Sequence, residues 1–131
     1  MNRIRYTRIY CGPDGESHFD ELSVVVEAAD YAPPASPLNL AEPIASERLI
    51  FCSLPRDWIG AWHPTPRRQF YFQMSGRLKV TVSDGEEREF YAGSVVLLED
   101  TSGRGHFTQT IGDEEVKCAF VQLPASDQVA V

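Results

Sequence analysis

Two stretches within residues 62–106 decide the fold. The first is Trp62-His63-Pro64-Thr65-Pro66-Arg67-Arg68-Gln69, and the second is Leu97-Leu98-Glu99-Asp100-Thr101-Ser102-Gly103-Arg104-Gly105-His106. Between them, apolar and polar residues alternate in short runs separated by glycine turns. Alternation with a period of two predicts β-strands whose side chains point to opposite faces of a sheet. His63 and His106 bracket this block.

The same alternation continues outward over most of the chain. Strands are predicted over residues 3–10, 22–27, 49–52, 69–74, 78–82, 86–90, 94–98, 106–110 and 116–123. Asp84-Gly85 predicts a two-residue hairpin turn of type I′, which needs positive φ at both central positions. We therefore predict an all-β chain of about nine or ten short strands, in an antiparallel sandwich or barrel.

Length and composition predict a single domain. The chain has 131 residues, and we expect a core over about residues 3–124 with a frayed tail at 125–131. Residues 32–43 contain four prolines and predict a surface loop. The net charge of −7 argues against nucleic acid and anionic membranes as partners, since both attract basic surfaces.

The cysteines and the apolar runs bear on the compartment. Cys11, Cys52 and Cys118 form no C-x-x-C pair, and we interpret them as buried reduced thiols, with a catalytic cysteine as the alternative. No signal-peptide pattern and no apolar run of membrane-spanning length is found, so a cytoplasmic protein is expected.

The two opening stretches resemble the two sequence motifs of the cupin family. His63 fits the first histidine of the first motif, and the six-residue gap between Gln69 and Gly76 fits its glutamate-to-glycine spacing. In the second motif, Gly93 opens a strand and His106 fits the histidine after the turn. The resemblance implies a cupin-like jelly-roll barrel with a pocket lined by both motifs.

The departures from the cupin pattern concern metal binding. A metal-competent cupin presents three histidines and one glutamate, whereas Thr65 and Gln69 replace the second histidine and the glutamate here. The resemblance leaves two interpretations open. Either His63, Gln69 and His106 hold a divalent ion (Fe, Mn, Ni or Zn) in an open site, or the histidines line the pocket without a metal.

Further pocket residues follow from the barrel geometry that the resemblance implies. Inward-facing positions would carry Thr65, Gln69, Tyr71, Gln73 and Thr108 as substrate-binding side chains, and Phe51, Leu78, Val80, Leu97 and Phe120 as apolar walls. For Arg67 and Arg68, surface ion pairs with the acidic stretch Glu86-Glu87-Glu89 or with Glu99-Asp100 are favoured over a role in capping the pocket. The role of His18 is left open, between a strand-end position and a pocket or interface contact.

Two hypotheses for function follow. The first is an enzyme of isomerase, cyclase or oxygenase type that acts on a small organic metabolite, with His63 and His106 as catalytic residues. The second is a non-catalytic module that binds or senses a ligand in the same pocket without a metal. A homodimer is also predicted, with the Phe70 and Phe72 face as the candidate interface.

Overall fold

The computed structural model describes residues 2–124, and the predicted tail at 125–131 lies outside them. Within this range the chain forms eleven strands and no helix. The strands are β1 (Arg3–Cys11), β2 (Ser17–Val25), β3 (Glu27–Ala29), β4 (Leu38–Leu40), β5 (Arg48–Leu54), β6 (Gln69–Gln73), β7 (Arg77–Val82), β8 (Glu87–Phe90), β9 (Val95–Glu99), β10 (His106–Ile111) and β11 (Val116–Gln122).

Nine strands form two sheets that pack against each other as a jelly roll. The larger sheet has the order β2-β1-β9-β6-β11-β5, and the smaller has the order β10-β7-β8. All pairs are antiparallel except β1 and β9, which run parallel with Thr7 opposite Val96. The all-β, jelly-roll prediction is confirmed.

The core lies between the two sheets because one face of each is apolar. Ile9, Tyr71 and Val96 of the larger sheet pack in one buried cluster with Val80 and Phe90 of the smaller sheet. A second cluster, on the outer face of the larger sheet, contains Phe70, Leu97 and Leu123. Strand β6 therefore contributes apolar side chains to both faces, but Phe72 on the outer face is 38% exposed.

Three local predictions need correction. Strand β2 begins at Ser17 instead of residue 22, and Leu38–Leu40 within the predicted loop pairs with Glu27–Ala29. At the hairpin tip only Gly85 has positive φ, and the Gly85 amide donates to the Val82 carbonyl. The tip is thus a three-residue loop, not a type I′ turn, and the Ser83 hydroxyl accepts a hydrogen bond from the Ser17 amide of β2.

No helix in residues 2–124 is long and apolar enough to cross a membrane.

Candidate functional site

A cavity of about 460 Å³ lies between the two sheets. Most of its wall is apolar, formed by Ile9, Ile50, Phe51, Cys52, Leu54, Trp58, Pro66, Tyr71, Leu78, Val80, Phe90, Val96, Leu98 and Phe120. Its polar side chains are His63, Thr65, Gln69, His106, Thr108 and Gln122. No aspartate, glutamate, lysine or arginine of the described chain lines it, so the cavity suits an uncharged, mostly apolar molecule.

The two histidines lie side by side at this cavity. His63 precedes β6 in a segment that runs beside the start of β10, where His106 lies. The His63 amide donates to the His106 carbonyl at 3.2 Å, and the His106 amide donates to the His63 carbonyl at 3.0 Å. Their ring centroids are 5.1 Å apart. The backbone therefore fixes the distance between the two imidazoles.

Gly105 makes this close approach possible. It has a φ of +77°, and a Cβ placed on it would lie 1.9 Å from the His63 carbonyl oxygen. Any other residue would collide with the backbone of the neighbouring segment and would also be strained at this φ. The Gly-x-Gly-His pattern of the second motif therefore permits the pair of backbone hydrogen bonds between His63 and His106, which we call the histidine bridge.

Asp100 orients His106 from the closed side of the site. Its side chain is fully buried, and its Oδ2 lies 2.6 Å from His106 Nδ1. Its Oδ1 accepts a hydrogen bond from the Thr65 hydroxyl at 2.9 Å, and its carbonyl accepts one from the Thr65 amide. A buried carboxylate costs free energy unless it is paired and hydrogen-bonded, and both of its oxygens are engaged here.

These contacts leave Nε2 of each histidine for a ligand. His63 Nδ1 lies 2.8 Å from the Ala61 carbonyl, which can only accept, so Nδ1 must carry the hydrogen. The Asp100 carboxylate selects the same tautomer of His106. His106 is only 6% exposed, whereas His63 is exposed to solvent. His63 thus lies at the mouth of the cavity, and His106 lies inside it.

Most predicted polar site residues lie in the cavity wall. Thr65, Gln69, Tyr71 and Thr108 line it together with the two histidines. The Tyr71 hydroxyl donates to Gln73 Oε1 at 3.0 Å. Burial raises the pKa of Tyr71 well above its ordinary value, so the phenol stays protonated and acts as a donor.

Gln73 shares the strand face of Tyr71 but lies outside the cavity lining. Its Nε2 donates to the Gly76 carbonyl at 2.9 Å and to the Phe90 carbonyl at 3.0 Å. Since its amide is used to fasten the turn after β6 to β8, the prediction that it binds substrate is not supported by its position.

One predicted wall residue and the arginines also need comment. Leu97 was predicted to line the pocket, but it points to the outer face, and Val96 and Leu98 line the cavity instead. Arg68 pairs with Glu99 at 2.5 Å, which agrees with the favoured interpretation. Arg67 pairs with Glu47. Both arginines lie outside the cavity lining.

The residues present do not fit the metal site that the cupin resemblance implies. Nowhere in residues 2–124 do three or more His, Cys, Asp or Glu side chains group as metal ligands. His63, Gln69 and His106 offer two imidazoles and one neutral amide, and the nearby Asp100 carboxylate is already bound to His106 and Thr65. Without a charged ligand this donor set is poor for a divalent cation.

Asp100 is the important residue that the sequence interpretation placed wrongly. Its place next to Glu99 in an acidic pair predicts a surface partner for arginine, but neighbouring strand residues face opposite sides of the sheet. Glu99 points outward to Arg8 and Arg68. Continuing the inward series Val96 and Leu98 by two residues would have placed Asp100 inside. Gln122, which also lines the cavity, follows the same alternation after Phe120.

Comparisons with known proteins bear on the fold. The sequence matches no protein-family model and no curated protein. Among solved structures, it is similar to a cupin 2 conserved barrel domain protein from Salinispora arenicola, with 23% identity and a TM-score of 0.51 over 77% of this chain and 76% of that one. It is also similar to the Cnp3 cupin domain of Schizosaccharomyces pombe, with 12% identity and a TM-score of 0.46 over 93% of this chain and 85% of that one. With two facing sheets around a cavity and the likeness to the Salinispora structure, the chain has the fold of the cupin family.

Proposed function

We propose that the protein binds a small, uncharged and mostly apolar organic molecule in its central cavity and catalyses a proton transfer in it, with His106 as the base and His63 as the acid. The observation that carries this proposal is the Asp100–His106 pair, buried beside a second imidazole at an otherwise apolar cavity. A carboxylate at Nδ1 makes an imidazole a better base at Nε2 and stabilises the imidazolium that forms.

The spacing of the two rings favours proton transfer between neighbouring atoms of one ligand. Their centroids are 5.1 Å apart on the same side of the cavity, so they would not flank a substrate from opposite faces. In a carbonyl compound, His106 Nε2 would take a proton from the carbon next to the carbonyl while protonated His63 gives one to the oxygen. In an unsaturated ketone, His106 then gives its proton to a different carbon of the dienol while His63 takes the proton back from the oxygen, which completes an isomerisation and restores both histidines.

The positions of the two histidines support this division of roles. His106 is buried and held by Asp100, as a base needs to be, whereas His63 is exposed and can exchange protons with water. The apolar walls would exclude bulk water from the reacting carbon. Of the enzyme classes predicted from the sequence, isomerases and cyclases fit this proton chemistry without a metal.

The test is deuterium exchange. A panel of uncharged cyclic and aromatic ketones is first screened for thermal stabilisation of the protein, and the binders are then incubated with it in D2O and followed by NMR. Wild-type protein is expected to exchange the protons on the carbon next to the carbonyl for deuterium. In His106→Gln the exchange rate should be at least about 100-fold lower than in wild type. Trp62→Phe, which lies outside the cavity lining, is the matched control.

The outcomes separate the two hypotheses. Binding without exchange, unchanged by His106→Gln, would contradict catalysis and favour a binding or sensing module. If no uncharged ligand stabilises the protein, the cavity proposal itself is wrong.

Metal content gives an independent prediction. Because the donor set lacks a charged ligand, protein purified without a histidine tag is expected to hold far less than one equivalent of iron, manganese, nickel or zinc. Elemental analysis measures this, with His106→Gln as the comparison. A near-stoichiometric metal that His106→Gln loses would overturn the metal-free mechanism.

A further inference from the structure

Two cysteines lie next to each other, Cys52 in the wall of the cavity and Cys118 in the buried core behind it. Cys52 of β5 lies directly opposite Cys118 of β11 in an antiparallel pair, so their side chains project from the same face of the sheet. Opposite residues in such pairs have Cα atoms about 4.5–5.5 Å apart, and disulfides join Cα atoms about 4.4–6.8 Å apart. The backbone therefore already holds the two residues within bonding range.

The two thiols differ in their surroundings. Cys118 is fully buried, and burial together with the neighbouring Cys52 raises its pKa to about 12, so in the reduced protein it stays protonated and is not the thiol that an oxidant attacks first. Cys52 is only partly buried and lines the cavity, where a small oxidant can reach it. Cys52 is thus accessible to an oxidant from the cavity, and Cys118 lies buried next to it.

We propose that Cys52 and Cys118 form an oxidant-responsive dithiol, which hydrogen peroxide or an organic hydroperoxide converts into a disulfide between β5 and β11. The Cys52 sulfur attacks the peroxide, the O–O bond breaks, and Cys52 sulfenic acid and one water (or alcohol) are formed. The Cys118 sulfur then attacks the Cys52 sulfur, the S–O bond breaks, and the hydroxide leaves with the Cys118 proton as water. Two thiols are oxidised and one peroxide is reduced.

This disulfide would act on the cavity through its most exposed wall. Strand β5 is at the edge of the larger sheet and pairs within residues 2–124 only with β11. Its cavity-lining residues Ile50 and Phe51 are 42% and 74% exposed. Edge elements with few buried contacts open locally at low cost in free energy. A covalent link to β11 would keep β5 closed and slow the entry and release of a ligand.

The experiment is intact-mass analysis of the full chain after graded hydrogen peroxide treatment, with peptide mapping of the linkage. Wild-type protein and Cys11→Ser are expected to lose the mass of two hydrogens, which dithiothreitol restores, whereas Cys52→Ser shows no loss. Cys11 lies apart from the pair at the end of β1 and serves as the control cysteine. A disulfide that involves Cys11, or stepwise gain of oxygen without loss of hydrogen, would overturn the proposal.

Amide hydrogen exchange tests the effect on the strand without a ligand and without any variant that risks misfolding. In oxidised wild-type protein the amides of β5 are expected to exchange at least about tenfold more slowly than in the reduced protein. Dithiothreitol should reverse the change. Equal exchange in the two redox states would contradict the control of β5 by the disulfide, even if the bond forms.

Discussion

Asp100 is the residue on which the proposed chemistry depends most. In Asp100→Asn the amide oxygen can still accept from Thr65, but the NH2 group then faces His106 Nδ1. That contact favours the tautomer with hydrogen on Nε2, so the base lone pair no longer faces the ligand. We expect the exchange rate to fall about 10²–10⁴-fold, and 15N NMR to show the change of tautomer.

The matched control for this prediction is Thr65→Val, which removes the hydrogen bond to Asp100 Oδ1 but keeps the Asp100–His106 contact. It is expected to cost about 1–3 kcal/mol of stability while His106 keeps hydrogen on Nδ1. An Asp100→Asn protein with an unchanged tautomer and rate would show that Asp100 has only a packing role.

His18 gives a pH-dependent contribution to stability that is separate from the cavity. Hydrogen bonds to Asp14 first, and then to Asp84, raise its pKa above the ordinary value of 6.5. A raised folded-state pKa means that the stabilisation is present below pH 6.5 and is lost as the pH rises through the higher folded-state value. Hydrogen bonds from the Glu16 amide and His18 lower the pKa of Asp14 from 3.8, so that carboxylate remains charged at pH 5.5.

We therefore expect His18→Gln to lower the melting temperature more at pH 5.5 than at pH 8.5. The effect should be below about 1 kcal/mol, because these side chains are partly exposed and screened by solvent. Thermal unfolding at both pH values measures it, and Asp84→Asn should reduce the same difference. A larger loss at pH 8.5 would be contrary to the sign predicted here.

At the scale of elements, the histidine bridge depends on the close passage of β10 and the segment before β6. Gly105→Ala should both strain the positive φ and push the two backbones apart, because its Cβ would lie 1.9 Å from the His63 carbonyl oxygen. We expect a loss of more than about 3 kcal/mol and broadened His63 and His106 NMR signals. Denaturant unfolding measures the first effect.

Gly15→Ala is the matched control for the clash. Gly15 has a similar φ of +81°, but no atom lies within 4 Å of its added Cβ. It should cost only the strain of a left-handed residue, about 1–2 kcal/mol. If the two variants are equally stable, backbone crowding at Gly105 is not what holds the histidines together.

The elements also show what the sequence could and could not predict. Nine of the eleven strands follow from alternation or, as in β2, β5 and β9, from short apolar runs next to turns, because their inner faces are buried. Short β3 and β4 were missed because three residues show too little periodicity. In β9 four apolar residues occur in a row, so alternation could not tell Leu97 from Leu98. His63 and His106 were predicted from motif spacing. The contact of His106 with Asp100 could not be predicted in this way, because it depends on Asp100 following the last residue of β9, Glu99, and facing the opposite side of the sheet.

At the scale of the whole molecule, the outer face of the larger sheet is the candidate dimer interface. Phe70, predicted to contribute, is largely buried against Tyr6 and Leu97, but Phe72 and Ile4 on the same face are 38% and 53% exposed. We predict a homodimer by light scattering that Phe72→Glu converts to a monomer. Tyr31→Glu, an exposed aromatic between β3 and β4, is the control. A wild-type monomer, or a Phe72→Glu dimer, would be evidence against this interface.

The parallel pairing of β1 with β9 has a consequence for the order of folding. Strands β1 and β2 are joined by a short turn and can meet early, but Thr7 must wait for Val96, about 90 residues later in the chain, before the centre of the larger sheet can close. Contacts of such long sequence separation slow folding, because the intervening loop must be closed before they form. On a ribosome, the first hairpin would therefore be exposed with one edge unpaired until β9 has emerged, and this is the period in which a nascent chain is most exposed to aggregation.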